Sequence, residues 1–181
     1  MNYQLFEVIN SEAGRWAPLD QLMRFAAVDL IYLVFVVAAV LVLNALRERR
    51  IRAVVCLCAT LMLAFGLAQM LAHTSREMRP FQDHPVHQLI PHEPGVGLPS
   101  DHATAAFALA FGILVFVHRQ AGLALTAAAV LIGFARVWTG VHYPGDIAAG
   151  AVIAALSAFT VCVSSMRRPA DDPFQEGVLT R

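Results

Sequence analysis

Two clusters of reactive side chains interrupt an otherwise apolar chain. In the stretch Ala135 to Gly150, ARVWTGVHYPGDIAAG, a guanidinium (Arg136), an imidazole (His142) and a carboxylate (Asp146) lie where one hydrophobic run ends and the next begins. Ionisable groups in such a place are costly, which makes them candidates for function. A carboxylate four residues beyond an imidazole can accept from one ring nitrogen and leave the other free as a nucleophile or base. The second cluster is Arg79-Pro80 followed by Pro99-Ser100-Asp101-His102, directly before another apolar run. Ser100 suits a helix N-cap, so the backbone N–H groups behind it and the helix dipole face an anion. His102 then falls in the first turn, placed to give a proton. Two guanidinium forks, a hydroxyl, backbone donors and an oriented imidazole together suit a phosphate and its expanded transition state. The chemistry is that of phosphoryl transfer through a phosphohistidine. The competing reading of Arg136, His142 and Asp146 is a structural ion pair at a helix junction.

The segments that must position these residues read as helices crossing a bilayer. Apolar runs fall at about 26–46, 53–72, 100–118, 121–138 and 145–166, each close to the roughly 20 residues that span the hydrocarbon. Gly140 can close the helix before His142 and Pro144 can open the one after it, leaving a short, stiff connector. Residues 2–24 mix Phe6, Trp16 and Leu19 with charges and a Gly-Arg-Trp-Ala-Pro break, which suits amphipathic pieces lying in the interface. Asp29 reads as an interfacial carboxylate. The predicted fold is all-α: a polytopic membrane helix bundle of about five transmembrane helices plus an N-terminal interfacial helix. It forms a single domain over 1–169, with a cytoplasmic tail at 170–181. Arg47 to Arg52, Arg119 and the Arg167-Arg168 pair mark the inner side. The N-terminus, the long loop 73–102 and the connector 136–146 then share the outer face, where two distant polar segments can build one site.

Composition narrows the function classes. The chain has 181 residues, of which 58% are hydrophobic and 14% charged, a balance foreign to a soluble globule of that size. Formal net charge is zero and all 13 basic residues are Arg, so no basic tail or stripe is available for nucleic acid. Cys56, Cys58 and Cys162 lie inside apolar runs without a CxxC pair, as small hydrophobes would. His73, His84, His87 and His92, with Asp83 and Glu93, are spaced irregularly and contain no helical HxxxH pair, which favours a wet, headgroup-facing loop over a metal site. Phe81 and Trp138 read as packing or lipid contacts.

Arg79-Pro80, then Pro99-Ser100-Asp101-His102, then Ala135-Arg136 with His142 and Asp146, resembles the three-part signature of the type 2 phosphatidic acid phosphatase superfamily. The resemblance implies that His142 attacks phosphorus, that Asp146 orients it, and that His102 protonates the departing oxygen. It implies that Arg79, Arg136, Ser100 and the Asp101 backbone hold the phosphoryl oxygens, and that no metal or other cofactor takes part. The chain departs from the pattern in three places. Ala72 stands where the first motif usually has Lys, seven positions before Arg79, and Arg76, one helical turn from Arg79, is the candidate replacement. Ala135 stands where the third motif usually opens with Ser, and Asp101 where Gly is usual, placing a carboxylate beside an anion site. The Pro-Ser-Asp-His variant with its Ile90-Pro91-His92 lead-in is similar to the branch acting on undecaprenyl pyrophosphate. The implied partners are a polyprenyl or glycerolipid phosphate and the surrounding lipids, at a bacterial plasma membrane with the site facing outward. Phosphatidate, diacylglycerol pyrophosphate and phosphatidylglycerol phosphate are the rival substrates. A small transporter and an inactive lipid-binding relative are the rivals from other classes.

Overall fold

The computed structural model describes residues 2–166, and the expected tail at 170–181, like Arg167 and Arg168, lies outside them. Two N-terminal helices, α1 (Asn2–Asn10) and α2 (Ala17–Val28), precede the long helices α3 (Leu30–Arg47) and α4 (Ile51–Thr74). One short helix, α5 (Pro80–Asp83), interrupts the segment from 75 to 100. Then α6 (Asp101–Gly112) continues into a π-helical turn, Ile113–Val117, and α7 (Arg119–Trp138) and α8 (Pro144–Met166) complete the bundle. By length and composition α3, α4, α7 and α8 can each cross a membrane, while Asp101–Val117 is a shorter apolar helix. The all-α bundle expected from the sequence is the observed one.

The short helix is the centre of the molecule, in contact with α3, α4, α7 and α8. Its Ala103, Ala106, Ala108 and Ala110 are all buried, and such small side chains let helix backbones approach closely without lipid between them. The approach of α8 is close at Gly150, where a Cβ would stand 2.7 Å from Thr104 Oγ1 and 3.0 Å from the Thr104 nitrogen. This packing brings the two motif segments together: the Ser100 N–H donates to the Asp146 carbonyl at 3.2 Å. Leu33, Val40, Met62, Phe65, Leu156 and Phe159 are exposed on the outer faces of the long helices, as residues facing hydrocarbon are.

At the opposite end the helix termini are tied by arginine. Arg50 donates to the carbonyls of Val117 at 2.9 Å and Phe116 at 3.1 Å, satisfying groups that a helix end leaves without partners. Arg52 donates to the Ser165 carbonyl. His118 accepts from the Ala121 N–H at 3.2 Å, capping α7.

The first apolar run differs from expectation. It is not one helix from 26 to 46 but breaks at Asp29, and α2 turns aside to pack on α7 while α3 continues alone from Leu30. The reason lies in the core: Met23, Ala26 and Ala27 cluster with Ala135, Trp138 and Ile90, and the Ala27 carbonyl accepts from Arg136 Nη1 at 3.3 Å. The N-terminal segment is also stitched to the polar end of the bundle. Asp20 accepts from Trp138 Nε1 at 2.9 Å and from the Gly14 N–H. Asn2 bonds Glu77 and the Gly145 N–H, both at 2.9 Å.

Candidate active site

The connector between α7 and α8 is built as its residues dictate. Gly140 has a φ of +81°, the left-handed conformation that favours glycine after a helix end, and a Cβ there would meet the His87 carbonyl at 2.8 Å. Pro144 begins α8, which sets Asp146 in its first turn. His142 Nδ1 lies 3.0 Å from Asp146 Oδ2, and the same oxygen accepts from the Tyr143 N–H at 2.9 Å. A carboxylate only accepts, so Nδ1 carries the ring hydrogen and Nε2 presents its lone pair. That lone pair meets Arg79 Nη1 at 2.9 Å. His142 is 1% exposed. Despite the carboxylate, burial first, then the charges of Arg136 and Arg79, hold its pKa well below the ordinary 6.5.

At this end of the bundle are donors without partners of their own, and the charges of Arg79 and Arg136 both act on the His142 ring. Arg79 Nε, Ser100 Oγ, and Arg136 Nε and Nη2 are buried and have no hydrogen-bond partner among the described residues; Asp146 Oδ1 shares that state. Buried polar groups normally find partners, so unpartnered cationic and hydroxyl donors at one end of the bundle suit an anion. Ser100 does occupy the N-cap position of α6, but its side chain makes no capping bond. Its hydroxyl is thus left free for a ligand instead of the helix. Burial lowers the Arg79 pKa, an effect that the Asp101 and Asp146 carboxylates partly offset.

The remaining expected residues divide. His102 lies in the first turn of α6, at the same end as His142, on which its charge acts. Asp101 is exposed, yet its carboxylate acts on Arg79. Arg76 is not one helical turn from Arg79, because α4 ends at Thr74 and residues 75–79 are extended. It is exposed. The histidines of the long segment go separate ways: the His73 ring bonds the Gln69 carbonyl, His84 stacks on Tyr3, and His87 bonds Asn10 through its backbone. Among the described residues no three of His, Cys, Asp or Glu converge to hold a metal ion. His92, in contrast, stands against His142. Nothing in its spacing marks that position, nor the tethering roles of Asn2, Asn10 and Asp20.

An apolar groove of about 380 Å³ opens on the flank of the bundle between α3, α4 and α6. Phe35, Leu61, Phe65 and Leu109 line it, and it reaches Asp101 and Thr104 in the first turn of α6.

The pattern of the PAP2 superfamily matches residues 53–169. The chain belongs to this family. It is 33% identical over 163 residues to undecaprenyl-diphosphatase BcrC of Bacillus subtilis, covering 88% of this chain and 81% of that protein. A bacitracin transport permease protein BcrC of Bacillus licheniformis is 31% identical over 162 residues, covering 89% of this chain and 79% of the relative. The crystal structure of Aquifex aeolicus LpxE superposes with a TM-score of 0.72 at 27% identity, over 88% of this chain and 93% of that one. This PAP2 chain is therefore a multi-pass membrane protein of a phosphatase family. The motif segments that the sequence singled out, from Arg79 to Asp146, fall within the matched residues.

Proposed function

We propose that this PAP2 chain is an integral membrane phosphatase that removes the terminal phosphate of undecaprenyl pyrophosphate on the outer face of a bacterial plasma membrane. In this reading His142 Nε2 attacks the terminal phosphorus as the bond to the bridging oxygen breaks, and His102 gives that oxygen its proton. Asp146 holds the Nδ1 hydrogen and stabilises the charged ring. Arg79, Arg136, Ser100 and the Asp101 N–H hold the phosphoryl oxygens as charge spreads over them. Water then attacks the phosphohistidine, His102 takes its proton, and inorganic phosphate leaves with the N–P bond broken. Arg76, exposed on its extended segment, assists only through its charge at the rim.

The observation that carries this reading is the set of unpartnered buried donors of Arg79, Ser100 and Arg136 around an imidazole whose other nitrogen is fixed by Asp146. The groove that reaches Asp101 supports a substrate with a long apolar chain, and the similarity to an undecaprenyl-diphosphatase supports a polyprenyl one. The name of the Bacillus licheniformis relative points toward transport. Transport calls for charges along a path through the membrane, whereas the charges of these spans sit at helix ends: Arg47, Arg52, Arg119, Arg136 and Asp146. Outward orientation follows from the arginine-rich end facing the cytoplasm.

The test is phosphate release by the purified protein in detergent from undecaprenyl pyrophosphate, phosphatidate, diacylglycerol pyrophosphate and phosphatidylglycerol phosphate. The expected result is turnover of the first and its loss in a folded His142→Ala variant. Turnover of glycerolipids alone overturns the substrate, and an active His142→Ala overturns the mechanism.

A further inference from the structure

The scheme above makes no use of His92, although it stands beside the proposed nucleophile. Its ring is nearly perpendicular to that of His142, at 84°, with centroids 6.1 Å apart. Its Nδ1 lies 3.2 Å from the Glu93 carbonyl. A carbonyl only accepts, so Nδ1 donates and Nε2 is the ring atom left open. The position is fixed by neighbours on three elements. Ile90 is buried, the Leu89 N–H donates to the Thr139 carbonyl at 3.1 Å, and Asn10 bonds both backbone groups of His87 and the Trp138 carbonyl. These bonds join the segment bearing His92 to the connector bearing His142.

We propose that His92 binds the inner, non-transferred phosphate of a lipid diphosphate and so makes the site selective for diphosphate substrates. The inference rests on the reading that the terminal phosphoryl group sits at His142. Attack places that phosphorus about 3 Å from Nε2, and the bridging oxygen and inner phosphate extend beyond it, away from the buried ring. His142 is 1% exposed, while His92 is only partly buried, as a group on the solvent side of the nucleophile is. In the same reading the buried donors of Arg79, Arg136 and Ser100 hold the terminal phosphoryl group. An inner phosphate needs a further donor outside them, and the His92 ring stands there.

The groups facing His92 are the charges of Arg79, Arg136 and Asp101, together with the imidazoles of His102 and His142. Burial first, then the two guanidiniums, hold its pKa below 6.5 and keep it neutral in the resting site. An arriving diphosphate brings negative charge that opposes the guanidiniums, and the ring takes up a proton. Both nitrogens then donate, Nδ1 to the Glu93 carbonyl and Nε2 to the inner phosphate, as a charge-assisted hydrogen bond.

The experiment compares wild type, His92→Ala and His92→Gln in detergent, with a polyprenyl diphosphate as substrate and inorganic orthophosphate as competitive inhibitor. Orthophosphate reports on the deep clamp alone. His92→Ala is expected to lower kcat/KM for the diphosphate about tenfold or more, with the orthophosphate Ki unchanged within about twofold. His92→Gln, which keeps a donor, recovers part of the loss. An unchanged kcat/KM, or a Ki that moves by the same factor as in a distorted site, overturns the assignment of His92. A wild-type protein that releases no phosphate from the diphosphate overturns the enzyme reading itself, and the His92 assignment with it.

Discussion

Burial and the neighbouring guanidiniums outweigh Asp146 and favour the neutral form of His142, and stability should record that. Burial and the guanidiniums of Arg136 and Arg79 hold its pKa well below 6.5, and His92 is lowered for similar reasons. An unfolded chain returns both imidazoles to their ordinary value, so below about pH 6.5 the unfolded state binds more protons and the fold loses stability as the pH falls. An imidazole that stays neutral while its unfolded counterpart takes a proton adds up to about 1.4 kcal/mol per pH unit to that slope. His142, 1% exposed, is the main contributor, and the partly exposed His92 adds less. Thermal melts in detergent should therefore show a plateau above pH 7 and a decline toward pH 5, shallower in His142→Asn; equal slopes for the two proteins would contradict this account. The contact of His142 with Asp146 was legible in the sequence, because a carboxylate four residues beyond an imidazole at a helix start can reach its ring. His92 was not, because an imidazole in an irregular loop carries no periodicity, and only the fold brings it to His142. Arg76 was placed by helical spacing that ends at Thr74, so its geometry was misjudged for want of a visible stop signal.

Helices α6, α7 and α8 were readable from apolar runs, Ser100, Gly140 and Pro144, since chain-terminating and chain-starting residues act locally. The break at Asp29 and the tethers from α1 were not, because they arise from contacts between segments far apart in the chain. Asn10 illustrates the point: 3% exposed, it bonds the backbone of His87 and the end of α7 at once. Asn10→Ala leaves these backbone groups unpaired, at a cost of about 1–3 kcal/mol. The expected outcome is a lower melting temperature together with reduced kcat, because the segment bearing His92 loosens from the connector bearing His142. A melting temperature and kcat equal to wild type would show that α1 holds nothing in place.

The whole molecule is polarised: reactive groups gather at one end of the bundle, and Arg47, Arg49, Arg50, Arg52 and Arg119 at the other. The proposed outward orientation makes a topological prediction. In a background with Cys56, Cys58 and Cys162 replaced, a cysteine at the exposed Glu93 position should react with an impermeant thiol reagent added to intact cells, and one at Arg49 only after lysis. The reverse pattern would turn the site inward. The flank groove that reaches Asp101 has a further consequence for how rate depends on concentration. A chain admitted sideways from the bilayer never passes through water, so encounter is a two-dimensional event. Turnover should follow the mole fraction of substrate among the surrounding lipids, and diluting a fixed amount of it with inert phospholipid should slow the enzyme even when the bulk concentration is unchanged.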